Sequence, residues 1–201
     1  MAAAARDVQE LCDRVAIADL TLRYCRGVDR CDLALLSSVF WDDAQAHYGI
    51  YDGRALEFAE LTVRTVRESC QATMHLIANQ TLELHGEKGA GETYVVAYHS
   101  IESLASIGAL LNDPALTAPS AQGAAPLASA APCSFVVGGR YLDRFTRRNY
   151  EWRIQERSYV WDWCEQGPPN LMFHAGESAT SLPIGRRTRS DPSYAFLGLK
   201  A

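Results

Sequence analysis

Between about residues 6 and 26 apolar side chains recur at three- and four-residue steps. Val8, Leu11, Val15, Ala18 and Leu22 form the stripe of an amphipathic helix whose apolar face is expected to turn inward. Gly27 supplies a stop, and Asp32 is placed to cap a short second helix over about 33–40 that turns Leu35, Leu36 and Val39 inward. A short strand follows around 44–51 and ends at the Asp52-Gly53 turn pair. A third helix over about 55–70 carries Leu56, Phe58, Leu61, Val63 and Val66. The pattern then changes period. Segments 73–84, 92–104, 134–148 and 151–164 are long, rich in β-branched and aromatic residues, and read as strands. Gly86 and the run Gly89-Ala90-Gly91 allow a hairpin between the first two, and Arg148-Asn149-Tyr150-Glu151 allows one between the last two.

The order α-α-β-α-β-β-β-β predicts an α+β fold, in which a long, curved antiparallel sheet packs against three N-terminal helices as a cone with an open mouth. Such a sheet encloses a concave, mostly apolar interior suited to a small molecule. The chain is expected to be a single domain over 1–201. An Ala/Pro/Ser/Gly-rich stretch at about 108–132 reads as a flexible insertion. A turn-rich tail at about 166–201 is expected to wrap the body without forming a domain.

Composition narrows the function. With 48% hydrophobic residues the chain can close a core, and 19 Lys+Arg against 24 Asp+Glu leave a net charge of −5. No basic footprint for nucleic acid or an anionic membrane is present. Six cysteines, at 12, 25, 31, 70, 133 and 164, include no C-x-x-C pair and read as reduced and mostly buried. Charge at Arg6-Asp7 comes too early for a secretory signal, and no apolar run reaches membrane-spanning length, so a cytoplasmic protein is expected. The broad sheet face needs a cover, which predicts a homo-oligomer.

Few polar residues interrupt the apolar elements. His75 shares a strand face with Ile77 and Asn79, and His99 shares one with Val95, Ala97 and Ile101. A lone strand histidine reads first as a satisfied structural residue; two on neighbouring strands, each on an apolar face, leave the structural and functional readings evenly open. Asp29 follows the first helix and Tyr24 lies in its last turn. A carboxylate aimed into the mouth would fix the tautomer of a histidine and stabilise its protonated form, making a general base. A buried tyrosine could donate to a leaving oxygen. Arg157 could reach an anionic group or pair with an acid. The alternative for Asp29 and Tyr24 is a turn residue and a core edge.

The run Arg23-Tyr24-Cys25-Arg26-Gly27-Val28-Asp29, with Val39-Phe40-Trp41-Asp42-Asp43-Ala44 after it, resembles the opening of SnoaL-like proteins of the nuclear transport factor two superfamily. Thr73-Met74-His75-Leu76-Ile77-Ala78-Asn79, Glu92-Thr93-Tyr94-Val95, Gly139-Arg140-Tyr141-Leu142-Asp143-Arg144-Phe145 and Trp152-Arg153-Ile154 continue the resemblance in order, over about 7–164. Dehydratases and a dehydrochlorinase of that group eliminate a leaving group without a cofactor, using an Asp–His pair inside the cone. The resemblance implies that Asp29 and His75 are this pair, with Tyr24, Arg157 and His99 as further catalytic residues. It implies Tyr48, and the pocket's aromatic content suggests Tyr141 and Trp161, as substrate-binding residues alongside Asn79. Where one of those dehydratases has Ser and Asn on the third long strand, this chain has Gly139 and Tyr141, which implies a different substrate. The eliminating members also favour a trimer over a dimer.

The expected function is therefore a cofactor-independent lyase, dehydrating a hydroxylated aromatic, polycyclic or terpenoid-like molecule, with loss of formaldehyde as a variant. Three alternatives remain open. An isomerase or hydrolase could use the same base. A non-catalytic binding cone would need no Asp–His pair. His75, His99 and Asp29 could form a two-histidine, one-carboxylate iron site, but no H-x-D or H-x-x-E spacing accompanies them, so no metal is expected.

Overall fold

The computed structural model describes residues 2–49, 51–101, 132–168 and 185–198. In chain order these form α1 (Ala2–Asp29), α2 (Leu33–Ser37), β1 (Phe40–His47), β2 (Asp52–Arg54), α3 (Ala55–Ser69), β3 (Cys70–His85), β4 (Lys88–Ile101), β5 (Cys133–Arg148), β6 (Glu151–Gly167) and α4 (Pro192–Phe196). All but the last residue of the Ala/Pro-rich stretch, and residues 169–184 and 199–201 of the tail, lie outside the described residues.

The fold is the expected α+β cone, with the N-terminal helices against one open six-stranded sheet of order β2-β1-β6-β5-β4-β3. The four long strands are antiparallel neighbours. β1 adds a parallel pairing on β6, so the whole sheet is mixed, and β2 folds back on β1. Asn149 and Tyr150, both with positive φ (51° and 66°), make the tight turn that joins β5 to β6. The largest fully buried apolar side chains are Phe40, Phe145, Ile17, Leu36, Ile101 and Ile154, drawn from helices and strands alike. All six cysteines are free, with Cys25, Cys31, Cys70 and Cys133 buried. No described helix is long and apolar enough to cross a membrane.

Helix α1 departs from expectation in two ways. Its apolar stripe faces out: Val8, Leu11, Val15 and Leu22 are each more than half exposed. The buried face alternates Ile17, Leu20 and Val28 with Asp13, Thr21, Tyr24 and Asp29. Polar residues lower the apparent hydrophobicity of that face, yet each is buried because the sheet or a strand end supplies a partner. Asp13 accepts from Trp152 Nε1 at 2.8 Å, from Arg147 Nη1 at 3.1 Å and from Gln9 at 3.0 Å, tying α1 to the β5–β6 hairpin.

The second departure is at Gly27, which does not end the helix. A Cβ there would lie 2.9 Å from the backbone of Leu36, so the glycine lets α2 press against α1. The helix runs two residues further and closes with bonds from Asp32 N–H to Gly27 C=O and from Cys31 N–H to Val28 C=O, the Schellman pattern. Cys31 takes the left-handed position at φ 49°. α2 in turn stops at Ser37, with Asp32 as its cap: Oδ1 accepts from Leu35 N–H at 3.1 Å.

Asp13 marks where α1 is fastened. Replacing it with Ala strands the part-buried Arg147 charge and the buried Trp152 N–H. Urea unfolding should register a loss of about 3 kcal/mol, whereas Val15→Ala on the exposed stripe should cost less than about 1 kcal/mol.

Candidate active site

Because α1 closes beyond Asp29, that carboxylate sits in the last turn and reaches strand β3. β3 is an edge strand, so the His75 amide facing away from β4 has no sheet partner. Asp29 takes both groups that His75 offers: Oδ2 accepts the backbone N–H at 3.0 Å and Oδ1 accepts ring Nδ1 at 2.7 Å. A carboxylate can only accept here, so Nδ1 carries the proton and Nε2 keeps its lone pair when the ring is neutral. Among the described residues Nε2 has no hydrogen-bond partner. Both side chains are nearly buried, at 9% and 13% exposure. Burial pushes the Asp29 carboxyl up, but the His75 ring bond, its charge and amide, and the Thr73 hydroxyl together hold it below 3.8.

His99 stands across from Phe135 on β5 and from Thr73 on β3. Its ring meets that of His75 nearly edge-on, centroids 5.6 Å apart and planes at 83°. Burial, then the neighbouring His75 charge, pushes His99 down to about 4, so it is neutral at physiological pH. Its Nδ1 is buried and has no hydrogen-bond partner among the described residues.

A second cluster is built round Arg157 on β6, whose side chain is fully buried. Nε and Nη2 donate to the two oxygens of Asp143, each at 2.7 Å, the bidentate form. The guanidinium centre lies 4.2 Å from the Tyr24 ring centroid and 4.1 Å from that of Tyr141, a cation sandwiched by two π faces. Burial opposes the charge, but the Asp143 carboxylate more than offsets it and keeps the guanidinium protonated. Nη1 is left buried and without a hydrogen-bond partner among the described residues. Tyr24 and Tyr48 share a hydroxyl–hydroxyl bond of 2.9 Å, and Tyr48 stacks between Phe58 and Tyr159 at 4.0 and 5.5 Å. Burial raises the tyrosine hydroxyls of Tyr24, Tyr48 and Tyr141, so all three remain donors at neutral pH.

Of the residues expected from sequence, Asp29, His75 and His99 come together, and Tyr24, Tyr48, Tyr141 and Arg157 form the adjoining aromatic cluster. Asn79 does not join them. A bulge between Ile77 and Gln80 breaks the alternation of β3, leaving Asn79 exposed. Gln80 takes the place facing α1 and β4, donating to Thr93 Oγ1 at 3.0 Å and to Thr21 Oγ1 at 3.4 Å. Trp161 is half exposed, edge-on to Phe135 at 6.0 Å, with its Nε1 bonded to the Trp163 carbonyl. The sequence reading missed Asp143, although it lies in the quoted motif. It also missed Tyr159, whose hydroxyl would be 2.6 Å from a Cβ at position 139; Gly139 is what lets it approach. Among the described residues, no three His, Cys, Asp or Glu side chains converge as a metal site.

The end of α1 is also held from outside. Tyr194 on α4 donates to Asp32 Oδ2 at 2.8 Å, Arg26 donates to Ser193 at 3.1 Å, and Arg30 pairs with Asp191 at 3.7 Å. These contacts flank Asp29 on both sides in sequence.

A sequence profile of the SnoaL-like domain matches residues 9–158. No curated protein sequence matches the chain. Among solved structures, hexachlorocyclohexane dehydrochlorinase LinA-type3 from Novosphingobium barchaimii is similar at a TM-score of 0.61 and 21% identity, covering 80% of this chain and 93% of that one. A Novosphingobium aromaticivorans protein carrying the provisional name scytalone dehydratase is similar at 0.57 and 14%, over 80% and 95%. A cystatin-like protein of unknown function from Nostoc punctiforme gives 0.52 and 12%, over 75% and 91%. At these identities the likeness is one of fold.

The depressed His99 makes a prediction about stability. Unfolded, the ring would titrate near 6.5; folded, near 4. The unfolded chain therefore binds the extra proton first. The contribution of this group is full above about 6.5 and falls as pH drops toward 4, by about 3 kcal/mol in all. Thermal melts of wild type should lose stability over that window, and His99→Phe should flatten the loss.

Proposed function

The chain belongs to the SnoaL-like family, and we propose that within it this protein is a cofactor-independent lyase acting on a hydroxylated aromatic, polycyclic or terpenoid-like small molecule. The observation that carries the reading is the two-point bond between Asp29 and His75, which presents a lone pair at Nε2 in a nearly dry setting. The dehydrochlorinase and dehydratase names of proteins that share the fold support the same class of reaction.

In the proposed reaction His75 Nε2 removes a proton from a carbon beside an activating group. Asp29 stabilises the imidazolium that forms. The electrons of the broken C–H bond become the new C=C bond, and the C–O bond to the leaving hydroxyl breaks. The proton lost from carbon and the departing hydroxide together make water. Neutral His99 beside His75 can hydrogen-bond the substrate without competing for the proton. Arg157, held charged by Asp143, and the hydroxyls of Tyr24 and Tyr48 stabilise negative charge as it develops. Buried among aromatic rings, these dipoles are worth more than in water. Tyr141, Tyr159 and Phe135 offer flat surfaces to a ring, with Trp161 at their edge. The exposed apolar stripe of α1 supports the expectation of a homo-oligomer.

A mass-spectrometric screen of hydroxylated aromatic, terpenoid and steroid compounds tests this reading. Wild type should yield a product lighter by water, or by water plus formaldehyde. His75→Ala should lower the rate by about 10²–10⁴-fold, and Asp29→Asn, which leaves the wrong tautomer free, should fall in the same range. Mass-neutral conversion would indicate an isomerase instead, and retention without conversion in all three proteins would indicate a binding cone.

A further inference from the structure

The junction of α3 with β3 and the segment 185–190 enclose a cleft of about 350 Å³. Arg67, Gln71, Arg186, Arg187, Thr188 and Ser190 line it. Arg67 Nη2 donates to the Cys31 carbonyl at 3.1 Å, and Arg187 Nη1 donates to the Val66 carbonyl. Among the described residues, neither guanidinium has a carboxylate at ion-pair distance. The acids at this end are already engaged: Asp32 with Arg189 and Tyr194, and Asp191 with Arg30, Ser193 and the Arg186 amide. The two charges also lie near each other. Both line the cleft, and burial raises the Cys31 thiol while the Arg187 and Arg67 charges both act to lower it. Two like charges beside one polar cleft, with carbonyl and thiol partners but no paired carboxylate among the described residues, are an arrangement that an anion would relieve.

The cleft stands close to the dyad. Arg67 binds the carbonyl two residues after Asp29, and Gln71 precedes His75 by four residues, about 13 Å along a strand. We propose that this cleft binds an oxyanion, a carboxylate, sulfate or phosphoryl group, carried by the substrate at about that distance from the carbon His75 deprotonates. The assignment to a substrate group rests on the lyase reading; the anion site itself does not.

Titration calorimetry of the full chain with inorganic phosphate reads the site without turnover. Wild type should bind phosphate, Arg67→Ala and Arg187→Ala should each weaken binding about tenfold or more, and Arg187→Lys should retain part of it. His75→Ala should bind as wild type does. Thermal melts of each variant separate loss of the site from loss of the fold. An absent signal in wild type, or binding as tight as wild type's in both arginine-to-alanine variants, overturns the site. With a substrate in hand, phosphate should raise KM without lowering kcat, and Arg187→Ala should abolish that effect. Phosphate binding with an unaltered KM overturns the assignment to the substrate. Failure of the lyase reading looks different: no compound is eliminated, while arginine-dependent phosphate binding persists.

Discussion

The bond between Asp29 and His75 is the constraint round which this molecule is arranged. It joins the end of a helix to the open edge of a sheet, two elements that share no backbone hydrogen bonding at that point. One carboxylate satisfies a strand amide and a ring N–H together. That requires α1 to end within a residue of where it does. The Schellman closure at Cys31, the close approach over Gly27 and the contacts of Tyr194, Ser193 and Asp191 all fix that end. Near the middle of the helix, Asp13 ties it to the β5–β6 hairpin. A helix fastened at its middle and at its C-terminal end cannot slide, and the carboxylate keeps its place without the site itself bearing the load.

The interior sorts its ionisable groups by environment. Asp29 stays ionised because its hydrogen bonds outweigh its burial, whereas His99, a few ångströms on, loses its proton because burial and the His75 charge outweigh the backbone bonds and the Asp29 charge that favour it. Arg157 keeps its charge against burial chiefly through Asp143. Adjacent groups thus hold different protonation states at one pH, a condition that acid–base chemistry in a single pocket requires. The aromatic rings around Arg157 exclude water while offering π faces to the cation, so the charge is desolvated yet still partnered.

Much of this was legible from residue order alone. Long alternating segments separated by Gly and Asn turns identify four strands, and helix–strand order identifies the cone. Asp29, His75 and His99 stood out because polar residues are rare in those segments. What escaped the sequence depends on single-residue irregularities. Counting back from the Arg148–Glu151 pair would set Asp143 opposite Glu156; a bulge between Arg144 and Phe145 shifts the register and brings Arg157 across instead. The bulge after Ile77 exchanges Asn79 for Gln80 by the same means. The buried face of α1 was obscured for a different reason. Asp13 and Thr21 on that face find partners from elements more than fifty residues away, which no local periodicity records.

The most direct test of the account is the tautomer of His75, read by two-bond ¹H–¹⁵N NMR on labelled wild-type protein at a pH where the ring is neutral. Protonated Nδ1 with unprotonated Nε2 is the predicted result, and Asp29→Asn should disturb it. A neutral ring carrying its proton on Nε2 would contradict the claim that Asp29 holds His75 as a base.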